Sequence, residues 1–265
     1  MPFPGDAYSP KQIAESINNV GIKKANLPTL QTVTLGVLAG AFIAFGAMFY
    51  TVVITDSHLG FGPTRLLGGV AFSLGLILVV IAGAELFTGN NLIVIAWAEK
   101  KITSKQLLRN WGLVYLANLI GALASAWFMW RSGLLDSGDG AVASTALKIA
   151  EAKINLPYEQ SFIRGILCNA LVCLAVWLCF AAHTVSGKIL AILFPISAFV
   201  ALGFEHSVAN MYLIAVAIFQ GGTDISWAAY AINLATVSAG NIIGGSVLVA
   251  LVYWLSYLYH SEPSS

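Results

Sequence analysis

Ionisable side chains are scarce in the apolar stretches of this chain, and two short stretches hold those that lie deepest. GAELFTGNN (83–91) carries Glu85, and GFEHSVANM (203–211) carries Glu205 with His206 beside it. A charge at mid-bilayer costs at least about 2.5–3.5 kcal/mol, so such groups face a bundle interior or a pore. Imidazole titrates near neutrality. His206 is therefore the candidate for exchanging a proton or a hydrogen bond with a permeant, and the adjacent carboxylate could set its tautomer. The glutamates suit a structural role. Each sits at a chain break, where unpaired backbone N–H groups need an acceptor, so Glu85 and Glu205 are expected to brace the breaks. Ser207 beside His206 makes a poor hydrolytic dyad, because adjacent residues on a helix or turn point apart. The remaining histidines, His58, His183 and His260, fall in loops or at ends, which gives no metal cluster. Neither an enzyme activity nor a cofactor follows from these residues.

Asn169, within ILCNALVCLAVW, could hydrogen-bond a polar permeant or join two helices, and the sequence leaves both readings open. The expected lining near the first break is apolar, with Phe72, Leu76, Leu86 and Phe87 around a single hydroxyl, Thr88. A small anion with a protonatable form suits that mixture, since the neutral acid crosses an apolar constriction far more cheaply than its ion. No acidic ring suited to a cation filter runs along the spans. Cys168, Cys173 and Cys179 lie 5 and 6 residues apart on one apolar run; that is not zinc-ligand spacing, and they read as small apolar helix residues.

Composition decides what must position these groups. Of 265 residues, 58% are hydrophobic and 9% charged, with mean hydropathy +0.82. A soluble domain carries roughly 25% charged residues, so the chain reads as an all-α membrane protein in a lipid bilayer. The net charge is +1 and no basic run points to nucleic acid. Six apolar runs follow the polar N-terminal stretch, near 32–54, 65–98, 107–130, 158–182, 188–220 and 228–258. A span needs about 20 residues. Runs two and five are too long for one span, and each is interrupted at one of the two stretches above. Interrupted backbone must face protein or water, because lipid cannot satisfy it.

The interruptions share the pattern G-x-E-x-x-x-x-N: Gly83, Glu85 and Asn90 match Gly203, Glu205 and Asn210, 120 residues apart. Further on, ANLIGA (117–122) matches GNIIGG (240–245), which aligns Asn118 with Asn241 at an offset of 123. Three spans per half force the second half to insert upside down. The expected fold is six transmembrane helices in an inverted 3+3 repeat with two broken helices, and a permeant site near the midplane. The second half-helices should start near Leu92 and Met211, their N-terminal N–H groups favouring an anion.

Ser9, Pro10 and Gln12 open a short amphipathic helix with a capping box. The expected division is an N-terminal segment over 1–28, a channel domain over 29–260 and a tail over 261–265. With the N-terminus inside, eight of the 13 Lys and Arg residues face the cytoplasm. That bias predicts cytoplasmic termini; the membrane expected is the cell's inner (cytoplasmic) one.

The stretches AFSLGLILVVIAGAELFT (71–88), ILCNALVCLAVW (166–177), GFEHSVANM and GNIIGG resemble the formate/nitrite transporter family over essentially the whole chain. The resemblance implies an aquaporin-like hourglass protomer, a homopentamer with one pore per protomer, and passage of formate, nitrite or hydrosulfide, alone or with a proton. By the same resemblance, Leu76, Leu86 and Phe87 form a cytoplasmic constriction, and Phe72 with Phe199 a periplasmic one. His206 is the central histidine, Thr88 the loop threonine that bonds it or the permeant, and Asn169 a pore-side asparagine. Lys153 corresponds to a vestibule lysine that attracts anions, although position alone makes it an ordinary surface lysine. Asn210 and Asn241 correspond to residues that hold the vestibule and the broken-helix loops. The N-terminal helix has been read as a gate in this family. The loop QGGTDISW (220–227) is too short to house selection. A pH-dependent formate pathway is the leading expectation, with nitrite or hydrosulfide as alternatives. A water or glycerol channel is disfavoured by the lack of paired Asn-Pro-Ala triplets.

Overall fold

Long apolar runs in lipid leave backbone N–H and C=O groups no partner outside their own helix, and the described residues form helices joined by short turns. The computed structural model describes residues 7–221 and 225–259. Part of QGGTDISW, the expected tail and His260 lie outside the described residues.

Helix α1 (Pro10–Ala25) begins at the expected capping box, with Ser9 and Gln12 reciprocally bonded. The chain continues through α2 (Thr29–Ile54) and α3 (Phe61–Ile77), and α3 widens into a π-helical turn over Leu78–Gly83. After a break, 3₁₀ turns over Gly89–Ile93 lead into α4 (Val94–Ala98), followed by α5 (Ser104–Arg131). The second half comprises α6 (Ala141–Ile154), α7 (Tyr158–Ala181), α8 (Val185–Leu202), α9 (Ser207–Phe219) and α10 (Trp227–Ile242). A second π-helical stretch, Ile243–Leu251, joins α10 to α11 (Val252–Tyr257). Six helical segments are long and apolar enough to cross a membrane, and Gly89–Ala98 and Ser207–Phe219 are shorter apolar helices. The protein is a multi-pass membrane protein.

Both long runs are interrupted where the sequence places the breaks. Gly83 and Gly203 have φ of +85° and +72°, a left-handed conformation that only glycine adopts without steric cost. Gly203 ends α8 with Gly203 N–H on Val200 O and Phe204 N–H on Phe199 O, the arrangement that satisfies the last carbonyls of a helix. The half-helices start earlier than expected, at Gly89 and Ser207 rather than near Leu92 and Met211. The reason at α9 is local: the His206 side chain caps the helix through Ala209 N–H, so winding begins directly after it.

Helix α1 is seated in the bundle. Its buried Ile13, Ala14 and Ile17 share a core cluster with Leu92–Ala96, Trp177 and Val249. A larger cluster joins α2, α3, α5, α6, α7, α8 and α9.

Candidate permeation site

Asn118, on α5, pins the first break. Its Nδ2 donates to Gly36 O at 2.7 Å and to Glu85 O at 2.9 Å, and its Oδ1 accepts from Phe87 N–H at 2.9 Å. Asn241, on α10, does the same for the second, with donations to Gly165 O (2.8 Å) and Glu205 O (3.0 Å) and acceptance from Ser207 N–H (2.9 Å). A backbone loop buried in apolar surroundings is stable only when its polar groups are met in this way.

The carboxylates repeat the equivalence. Lys24 Nζ donates to Glu85 Oε1 at 2.7 Å, and Lys153 Nζ to Glu205 Oε1 at 2.9 Å. Asn90 and Asn210 each donate to the remaining oxygen of their glutamate, Oε2, at 2.7 Å. Each of these asparagines also donates to another, Asn110 or Asn233, which in turn donates to the lysine's own backbone carbonyl. The copies differ in one bond: Lys24 also reaches Asn90 Oδ1 at 3.0 Å, whereas Asn210 Oδ1 has no partner. Lys153 is therefore held by fewer bonds than Lys24. It is also no solvated surface lysine, since its side chain is only 15% exposed.

Lys24, Asn110 and Asn233 do not stand out in the sequence, although a signal is there. Lys24 precedes Lys153 by 129 residues, and Asn110 precedes Asn233 by 123. Extending the repeat backwards makes α1 the inverted counterpart of α6. We expect Lys24→Ala to weaken the seating of α1 by about 2–3 kcal/mol, since it removes two charge-assisted bonds and leaves Glu85 without its cation. The cost is less than at Lys153 because Lys24 is the more exposed lysine. Faster amide hydrogen exchange in residues 13–25, with α6 unchanged, is the measurement that checks it.

Between the breaks, His206 Nε2 and Thr88 Oγ1 lie 3.0 Å apart, and His206 Nδ1 accepts from Ala209 N–H at 3.0 Å. A backbone amide can only donate, so Nδ1 is the acceptor and Nε2 carries the proton. Nε2–H then donates to the Thr88 hydroxyl, which keeps its own proton free to donate. Asn169 Nδ2 is shared among Asn91 Oδ1 (2.8 Å), Asn241 O (2.7 Å) and Thr88 O (3.2 Å), so its amide hydrogens are committed to the framework.

Two cavities approach this pair from opposite ends of α2, α3 and α7. The larger, about 720 Å³, is lined by Arg65, Lys148, Lys153 and Arg164 along with Asp56 and Glu205, and reaches Phe72, Phe199 and His206. The smaller, about 450 Å³, lies under α1 and is lined by Lys24, Glu85, Leu76, Leu86 and other mostly apolar residues. No residue lines both. Phe72 meets Phe199 edge-on at 5.6 Å between ring centroids, and Phe199 stacks over His206 at 5.9 Å. Phe87 borders neither cavity; its ring packs edge-on against Tyr115 at 4.9 Å and Trp111 at 6.3 Å. Arg65 and Arg164 carry no distinguishing signal in the sequence, because Arg at a span end is common. Here each donates to a carbonyl at the end of α8, Ala201 O and Gly203 O, and so lies beside the second break.

A six-span bundle with an interrupted helix in each half, and a cavity entering from each end, defines a membrane transport protein. The family model described as Formate/nitrite transporter matches residues 11–255, and the chain belongs to that family. It is 44% identical to the uncharacterized transporter YrhG of Bacillus subtilis (strain 168), over 94% of this chain and 93% of the relative. It is 37% identical to the formate channel FocA of Escherichia coli (strain K12), over 98% of both chains. A solved pentameric formate channel with formate bound superposes with a TM-score of 0.81 at 39% identity, covering 87% of this chain and 98% of that one. Members of the family are channels and transporters, not enzymes.

Proposed function

We propose that the protein conducts formate across the cytoplasmic membrane as a homopentamer with one pathway per protomer. In this reading the α1 side, with both termini, faces the cytoplasm. The observation that carries it is the Thr88–His206 hydrogen bond, a polar station enclosed between two cavities that do not meet. The names of the similar channels favour formate over nitrite or hydrosulfide.

The anion enters the larger cavity, where the cationic rim raises its local concentration. Lys153, with one bond spent on Glu205, lies in the wall of this cavity and has further N–H groups to offer. Beyond lie Phe72 and Phe199, then Leu76 and Leu86, a layer that a bare carboxylate crosses only at high cost. The His206–Thr88 pair lowers that cost by supplying a hydrogen-bond donor midway. Protonating the imidazole would require Nδ1 to release Ala209 N–H and uncap α9. His206 thus acts chiefly as a hydrogen-bond station, and a proton that crosses with formate travels on the permeant.

His206→Asn should fold, since asparagine is among the best helix N-caps. His206→Phe should lose the cap, at about 1 kcal/mol. Both should cut formate flux into liposomes at every pH, with the shape of the pH profile still set by protonation of the permeant. Undiminished flux in His206→Phe would remove the histidine from the pathway. Competition by nitrite or hydrosulfide against labelled formate decides the permeant, and stronger inhibition at equal concentration would reassign it.

A further inference from the structure

Thr88 follows a break and directly precedes a 3₁₀ turn, so its backbone is held partly by that turn and partly by groups from another span. Its carbonyl accepts from three donors: Asn169 Nδ2 at 3.2 Å, Cys173 Sγ at 3.4 Å and Asn91 N–H at 3.4 Å. Asn169 and Cys173 are one turn apart on α7, and both are fully buried. Asn91 also accepts from Asn169 through its side chain.

All three holders converge on one residue of another span. Gly245 lies in the π-helical stretch Ile243–Leu251. A Cβ there would stand 2.8 Å from Asn91 Cβ, 2.8 Å from Cys173 Sγ, and inside van der Waals contact with Asn169 Nδ2. Its neighbour Gly244 differs in kind, because a Cβ at that position would meet the backbone of Ile166. Bulk at 244 pushes two helices apart. Bulk at 245 displaces the side chains that hold the Thr88 carbonyl.

We propose that Gly245 and Cys173 are positioning residues for Thr88: the first leaves the space in which Asn169 reaches its carbonyl, and the second supplies a donor to it. The proposal rests on the reading that the permeant crosses at the Thr88–His206 pair. Widening of the sixth span into π turns brings a backbone without a side chain against α7 at this level. The Thr88 hydroxyl is thereby set relative to His206 from the sixth span, whose Asn241 also holds the residues on either side of His206.

The test uses the full-length protein in liposomes, with formate flux measured over a concentration series and the ¹⁵N resonance of His206 Nε2 followed in parallel. Loss of that resonance in His206→Asn assigns it. Gly245→Ala should shift the resonance and lower maximal flux roughly five- to tenfold, the effect of about one lost hydrogen bond to a buried group. The half-saturating concentration should stay the same, because capture in the larger cavity is untouched. Cys173→Ala should act in the same direction, and Cys173→Ser, which keeps a donor, should recover most of the loss. Wild-type resonance and maximal flux in Gly245→Ala would overturn the proposal. If that variant fails to assemble, the same result in Cys173→Ala overturns it. Absence of formate flux in the unmodified protein would sink the functional reading alone, while the resonance of the variants would still decide the positioning claim.

Discussion

Lys153→Met is expected to destabilise the protein by about 3–5 kcal/mol, the usual cost of leaving one partner of a buried ion pair without the other. Glu205 is 3% exposed, and with the lysine gone only Asn210 still bonds its carboxylate. The same change takes a cation from the wall of the larger cavity, so formate flux at low concentration should fall by at least about tenfold. The double variant Lys153→Met/Glu205→Gln separates the two effects. It holds no uncompensated charge and keeps an acceptor for Asn210, so most of the stability should return. Flux should stay low, because the cation is still missing. Thermal unfolding in detergent and flux into liposomes read the two quantities separately. A single variant that melts with the wild type would show that the pair does not hold Glu205.

Asn118→Ala and Asn241→Ala should be nearly equal in cost, at about 2–4 kcal/mol each. Either change leaves one loop N–H and two carbonyls without their side-chain partner in a region that water does not reach. Both should also lower flux steeply, since Thr88 follows the first pinned loop and His206 lies in the second. Unfolding free energies measured side by side would test the equivalence. A harmless Asn241→Ala beside a crippling Asn118→Ala would show that the two halves match in geometry but not in energetics.

The breaks are legible in the sequence because lipid punishes their ingredients. Glycine, carboxylate and asparagine within an apolar run need a structural reason, and GAELFTGNN and GFEHSVANM announce it twice with one spacing. The lysines are not legible. Lys24 and Lys153 lie at the ends of amphipathic helices, where a solvated cation is the ordinary outcome, and nothing local distinguishes a partner of a buried carboxylate. Asn169 is ambiguous for a similar reason, since one asparagine on an apolar helix serves a permeant or a framework equally well. Only its distances to Thr88, Asn91 and Asn241 give it to the framework. Phe87 follows Leu86 directly, yet the two part company, one lining the smaller cavity and the other turned against Tyr115 and Trp111. Neighbours on an irregular segment diverge according to its dihedrals, and this segment is held on both sides of Leu86 by Asn118.

By itself the sequence determined the membrane class, the count of spans, the inverted duplication and the positions of the two interruptions. These follow from local physics: the hydrocarbon core fixes how long an apolar run must be, and backbone polarity forbids an unsupported break. Tertiary structure alone decided which lysine meets which glutamate, which nitrogen of His206 bears the proton, and how a bare backbone at Gly245 bears on Thr88. The lysine pairings and the approach of Gly245 join residues far apart in the chain, where a shift of one helical turn would exchange every partner. The packing of spans four and six against the breaks removes that freedom.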